Sequence, residues 1–237
     1  MFAKGRGKQE HCTTAGHHGD LHIWRQVRLF RTLNEEALVG LTAQAHRHVY
    51  SRREALNASA DTHDGLFVVE SGCIRFQRIA NRGQALTLAM YYAGDTFTFA
   101  SISRRDGPES VVEALARETV VSYISKTLMR HLMIKYPAVA LAALAETQGL
   151  LAETYDRLED MALYPLDTRL AHLLARQAAI RERHVVAATH EELAEMISTT
   201  REKVTLGLQH LREAGLVEYL PHHHGITVCD LQRLANW

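Results

Sequence analysis

Between Ser198 and Leu211 the chain reads STTREKVTLGLQHL. Val204, Leu208 and Leu211 recur at i, i+4 and i+7, which predicts a helix with one buried face. Arg201 and Glu202 stand at its head, with Thr205 and Gln209 further along the exposed side. An arginine so placed can give two parallel hydrogen bonds to guanine O6 and N7, and a glutamate can accept from cytosine N4. Thr199 and Thr200, with the positive end of the helix, can hold a phosphate. The chemistry suggested is the reading of duplex DNA.

The surrounding elements have to aim those groups. In THEELAEMISTTREKV, Thr189 with Glu192 and Thr199 with Glu202 each match the S/T-x-x-E capping box. The first helix buries Leu193, Met196 and Ile197. Only about three residues around Ser198 join it to the second, which is the length of a helix-turn-helix. Gly215 falls at the position that ends a helix in a left-handed turn. LVEYLPHHHGITVCDL then reads as two short strands around Pro221 to Gly225, a wing. His222, His223 and His224 at its tip could touch phosphate or could be a metal-sticky surface run. They cannot alone make a tetrahedral site.

The chain has 237 residues, room for two modest domains. Hydrophobic residues are 46% and charged residues 23%, as in an ordinary folded chain. No apolar run reaches the roughly 18 residues of a membrane span, and MFAKGRGKQEHC lacks the apolar stretch of a secretory signal. Cys12, Cys73 and Cys229 are odd in number and far apart, which fits a reducing cytoplasm and not a disulfide framework. The net charge is zero, so any DNA affinity must come from local placement of cations.

Residues 1–28 show no period and read as a flexible, His-rich arm. LNEEALVGLTAQA predicts a helix with Asn34 as its cap. From Val49 to Ile124, short β-branched and aromatic runs alternate with turn signals, as in a small antiparallel roll. SKTLMRHLMIKY is a short helix, and Pro137 suits the first position of the next. Along that long helix Leu141, Leu144, Gln148, Leu151, Tyr155, Leu158 and Ala162 alternate in steps of three and four. This is a coiled-coil seam of about three heptads, so we expect a homodimer. Gln148 would set its register, and the alternative is a helix packed on its own domain. Pro165 breaks the pattern, and Asp167 can cap a further helix. The expected division is an arm (1–28), a β-roll sensor-like domain (29–136), a dimerisation helix (137–163) and a winged-helix DNA-binding domain (164–237), an α+β chain.

This order, with FVVESGCIRF, YYAGDTFTF and TTREKVTLGLQHLREAGLVEY, resembles the cyclic-AMP receptor/FNR family of bacterial transcription regulators. The resemblance implies a cyclic-nucleotide-binding-like roll, a homodimer on a palindromic operator with half-sites about one turn apart, RNA polymerase as partner, and activation. It places reading of a G·C pair on Arg201 and Glu202. A second family arginine falls at Leu206, which could instead touch a thymine methyl. Family members that bind cyclic nucleotides carry Gly-Glu where Thr98-Phe99 stand. Glu109 lies near the place of their phosphate-binding arginine, and Arg104 and Arg105 are out of register. Cyclic AMP is therefore not expected as effector, with Phe97 and Phe99 filling part of the cavity. An unfamiliar effector and a form active without one both remain open. Three scattered cysteines cannot supply an iron–sulfur cluster, and Thr98 and Ala100 stand where haem-binding members have Cys and His.

His11, Cys12, His17, His18 and His22 have the residue types for zinc or copper but match no closed site. They carry the alternative of a metal- or redox-responsive regulator. His46-Arg47-His48 is similar to the H-x-H of metal-binding cupin enzymes, without the rest of that signature, and carries the enzyme alternative. No nucleophile elbow, P-loop or dinucleotide fingerprint occurs. No catalytic residue, metal site or cofactor is expected. Cys73 and Cys229 read as small core residues.

Overall fold

The computed structural model describes residues 21–56, 65–79, 85–98, 109–179, 184–186, 188–219 and 225–237. The β-branched and aromatic runs form β1 (His46–Ser51), β2 (Leu66–Ser71), β3 (Cys73–Ile79), β4 (Ala85–Tyr92), β5 (Thr96–Phe97), β6 (Glu109–Ala114) and β7 (Glu118–Ile124). One sheet has the order β1–β7–β2–β5 with antiparallel pairs throughout, and a second has the order β4–β3–β6. β7 is buried from Thr119 to Ile124 and pairs on both edges. Gly72 makes the β2–β3 turn at φ +84, where an added Cβ would lie 2.5 Å from Thr119 Oγ1 and 2.8 Å from Glu118 O. Only glycine fits there. Phe97 is buried, its ring stacked 5.1 Å from Phe67 and 4.9 Å from Tyr91. Phe99, Arg104 and Arg105 lie outside the described residues.

Residues 21–28, read above as part of the arm, are folded. They form α1 (Leu21–Gln26) and the start of a 3-10 turn. Trp24 is fully buried, stacks on Phe30 at 5.8 Å and donates from Nε1 to Glu70 Oε1 at 3.1 Å. Val27, Leu29 and Phe30 are buried with it, and Leu21 and Ile23 pack against the same core, so several apolar side chains anchor this segment. Of the histidine cluster only His22 is described; it is exposed on α1, 2.8 Å from Gln26 Nε2. Asn34 caps α2 (Glu35–Thr42), accepting from Ala37 N at 2.9 Å, and Ser125 caps α3 (Lys126–Lys135). α4 runs without a break from Pro137 to Leu163.

The remaining elements are α5 (Leu166–Ala179), β8 (Val185–Val186), α6 (His190–Met196), α7 (Arg201–Glu213), β9 (Val217–Tyr219), β10 (Ile226–Val228) and α8 (Leu231–Leu234). β8 and α8 are too short to show a period, and the sequence reading missed both. α5 begins at Leu166, with Pro165 O accepting from Arg169 N at 3.1 Å. Asp167 is thus inside the helix and is not its cap. Proline's fixed φ already presets the entry, and the carboxylate instead meets His210 Nδ1 at 2.7 Å. Cys73 is half-buried and Cys229 exposed, so neither is the core residue expected. Cys229 follows the last wing strand, its N–H bonded to Leu216 O while the side chain stays outside.

By contact the chain divides into two compact units. One comprises the described parts of Met1–Phe76, Met90–Asp106 and Val111–Leu144, the other those of Gln77–Ala89, Gly107–Ser110 and Ala145–Trp237. In the first, Trp24, Val27, Phe30, Leu38, Val68 and Ile124 are centres of one core. In the second, Leu170, Leu174, Leu193, Val204, Leu208, Leu211 and Leu216 form another. The second unit also ties α4 to α5. Asp160, 6% exposed, meets Arg176 Nη2 at 2.7 Å and His172 Nδ1 at 2.6 Å.

Leu208 has no exposed surface, whereas Leu206 on the same helix is 54% exposed. Leu208→Ala should cost about 2–5 kcal/mol through the cavity it leaves. Leu206→Ala should stay within about 0.5 kcal/mol. Urea unfolding of both variants measures the difference.

Candidate nucleic-acid interface

The interface is assembled on α6 and α7. Thr189 heads α6 with a complete capping box. Its hydroxyl accepts from Glu192 N at 3.2 Å, and Glu192 Oε2 accepts from Thr189 N at 2.7 Å. The helix ends with Ser198 in the left-handed region at φ 54 and Thr199 N bonded to Ala194 O at 2.9 Å. This six-to-one closure reverses the chain within three residues. It takes Thr199 out of the second capping box expected from sequence. Thr200 is the cap of α7 and accepts from Lys203 N at 3.4 Å. The local pattern favours Thr199, because Glu202 stands three residues on and Lys203 stands three residues after Thr200. The backbone closure at Ser198 chooses Thr200 instead.

The apolar face is as the spacing requires. Val204, Leu208 and Leu211 are fully buried, as is Leu193 on α6. Ile197 is buried and Met196 half-buried. Gly215 closes α7 at φ +71, with Leu216 N bonded to Leu211 O at 3.0 Å. The opposite face is open. Thr200, Arg201, Glu202, Lys203, Thr205, Leu206 and Gln209 are all exposed, and Thr199 is half-buried.

Hydrogen bonds and charge set the state of these groups. The carboxyl of Glu202 is held below its usual range by its own backbone N–H, then by the Thr200 hydroxyl and the charge of Arg201. It is therefore an ionised acceptor at neutral pH. Thr205 Oγ1 donates to Arg201 O at 2.9 Å and lies 2.8 Å from His190 Nδ1. Gln209 Nε2 donates to Glu213 Oε1 at 2.8 Å, a bond within one helix turn that a base edge could replace. His190 stands beside this face. The sequence reading missed it because a histidine at the first turn of a capped helix looks like solvent-facing filler.

β9 and β10 form the wing, paired antiparallel from Val217↔Val228 to Tyr219↔Ile226, with β8 on the outer side of β10. His222, His223 and His224 lie outside the described residues. Among the described residues, no three His, Cys, Asp or Glu side chains converge as metal ligands. His46 is exposed and His48 half-buried on β1. No single described helix is long and apolar enough to cross a membrane.

The exposed row on α4 is a second notable surface. Leu141, Leu144, Gln148, Leu151, Tyr155 and Leu158 all face outward, joined by Leu150, Met161 and Leu163.

The family model for the Crp-like helix-turn-helix domain matches residues 168–237. The Lacticaseibacillus casei protein named Probable transcriptional regulator flp is 31% identical over 198 residues, 81% of this chain and 88% of that one. The Cyclic AMP receptor protein of Thermus thermophilus is 27% identical over 195 residues, 81% of this chain and 89% of its own. Among solved structures, a CooA mutant from Carboxydothermus hydrogenoformans matches with a TM-score of 0.71 at 23% identity, covering 88% of this chain and 94% of that one. FixK2 from Bradyrhizobium japonicum matches with 0.67 at 20%, covering 81% and 96%. These two likenesses speak for the fold. The relatives are regulators, so the enzyme reading of His46 and His48 is set aside. The helix-turn-helix geometry, the family model over α5 to the C-terminal residue and the 31% identical regulator lead to one assignment: the chain belongs to the CRP/FNR family of transcription regulators and carries its DNA-binding domain.

Proposed function

We propose that the protein is a cytoplasmic, sequence-specific activator that binds an approximately palindromic operator as a homodimer and does not use cyclic AMP. The observation that carries this reading is the exposed first turn of α7. Arg201 and Glu202 project from a helix whose other face is fully buried. Arg201 would grip a guanine and Glu202 accept from cytosine. Leu206 would lie against a thymine methyl, and Thr205 and Gln209 would serve further along the groove. Thr199 and Thr200 would hold phosphate, and His222 and His223 would do so from the wing.

Dimerisation falls to α4. Leu141 is 68% exposed, and the row from Leu144 through Gln148, Leu151 and Tyr155 to Leu158 is exposed as well. Apolar side chains at a coiled-coil spacing gain most by burial against a second copy. In this reading residues 29–136 are the sensor-like roll, 137–163 the dimer helix and 164–237 the DNA-binding domain. RNA polymerase is the partner implied by the family. Against cyclic AMP stand Thr98, Phe99 and Glu109 at positions where nucleotide contacts are needed, and the stacked ring of Phe97.

Selection of bound duplexes from a random pool by the full chain, with no nucleotide added, tests the reading directly. A palindromic consensus is expected, and enrichment that requires cyclic AMP would overturn the effector assignment. On the selected duplex, Arg201→Ala should cost about 1–3 kcal/mol and relax preference at one base pair per half-site. An equal loss on every sequence would make it a phosphate contact. Leu151→Glu should halve the sedimentation mass, and an unchanged mass would place the subunit contact elsewhere.

A further inference from the structure

His190 is held against the DNA-facing side of α7 by a hydrogen bond to Thr205. Thr205 Oγ1 lies 2.9 Å from Arg201 O and 2.8 Å from His190 Nδ1. A carbonyl can only accept, so a hydroxyl that gives its one proton to Arg201 O leaves its oxygen to accept from Nδ1. The pair thus accommodates a charged ring, which donates from Nδ1 to Thr205 and has a second donor in Nε2. The imidazole also lies 6.1 Å from the ring of Tyr219 on β9. Helix α6, helix α7 and the wing thus fix one histidine beside Arg201 and Thr205.

From these contacts we infer that His190 makes operator binding proton-linked: the ring is neutral in the free protein and takes up a proton when it donates from Nε2 to a backbone phosphate. The inference rests on the assignment of α7 as the DNA-reading helix. The groups around the ring are Arg201 on α7, Tyr219 on β9, Arg212 beside the Tyr219 ring at 5.8 Å, and Glu191 and Glu192 on α6 itself. Glu192 is engaged in the capping box. Burial, and then the charge of Arg201, holds the ring below the usual histidine range in the free protein. DNA reverses that balance. A phosphate beside the ring favours the cation, and it screens the repulsion from Arg201.

The sign follows from linkage. A group whose protonation is favoured in the complex tightens binding as pH falls. The gain is lost as pH rises through the value in the complex. Below the free-state value both states are protonated and the dependence flattens. One proton per DNA-binding domain changes each domain's affinity by at most about tenfold per pH unit within that window.

The test uses the full chain and a duplex it selects from a random pool near neutral pH. Affinity is measured at fixed ionic strength from about pH 5.5 to about pH 8.5. Proton uptake is measured by calorimetry in two buffers of different ionisation enthalpy. Wild-type binding should weaken as pH rises and should take up protons. H190Q should make the profile shallower and remove up to one proton per domain, leaving only the share that His222 and His223 contribute from the wing. H190R should hold the low-pH affinity across the range, since its charge does not titrate. H210Q, which changes the histidine paired with Asp167, should keep the wild-type slope. A wild-type profile without slope, or a slope and uptake unchanged in both H190Q and H190R, would overturn the inference while leaving the DNA-binding assignment standing. Failure to enrich any duplex would remove both.

Discussion

Helix α7 lies against α5 with no room between them at Gly207. A Cβ there would come within 2.9 Å of Asp167 Oδ1 and 3.0 Å of Leu170 Cδ2. This close approach sets the rotation of α7 about its own axis, and everything on its outer side depends on that rotation. Val204, Leu208 and Leu211 fill the contact completely. Asp167 on α5 reaches His210 on α7, and the Arg169 side chain donates to Ile197 O at the end of α6. One helix therefore fixes both arms of the motif. Arg201, Glu202, Thr205 and Gln209 point to solvent because the other directions are occupied.

The turn between α6 and α7 carries the strain of this arrangement. Ser198 adopts a left-handed conformation that costs a residue with a Cβ about 1–2 kcal/mol. The closure of Thr199 N on Ala194 O and the cap at Thr200 offset it. With Thr200 as the cap, Glu202 is not needed to complete a box. Its carboxylate remains ionised at the head of the helix, ready to accept a hydrogen bond.

Helix α4 combines two kinds of surface. Its outward row is apolar, while near its end the buried carboxylate of Asp160 is held by Arg176 and His172 of α5. A buried charge left without partners is strongly destabilising, so the middle and last turn of α5 are held to the end of α4 by this cluster. Pro165 between them prevents a continuous helix and allows the change of direction.

Much of this was legible in the sequence because it depends on period and on local chemistry. The 3.6-residue rhythm of Val204, Leu208 and Leu211, the alternating roll, the caps at Asn34 and Thr189 and the left-handed stop at Gly215 are all encoded within a few residues of where they act. So were the exposed Arg201 and Glu202, since a helix with one apolar face must show its other. What only the tertiary structure decided involves residues far apart in the chain. Trp24 entered the core of the first unit and found Glu70 for its indole N–H, and Asp167 gave up a cap for His210. Thr200 displaced Thr199 through a bond back to Ala194. His190 acquired a partner 15 residues away in Thr205. Local pattern fixes which face of an element is apolar. It carries no information about which polar group on another element stands at hydrogen-bond distance, because that depends on how elements far apart in the chain pack together.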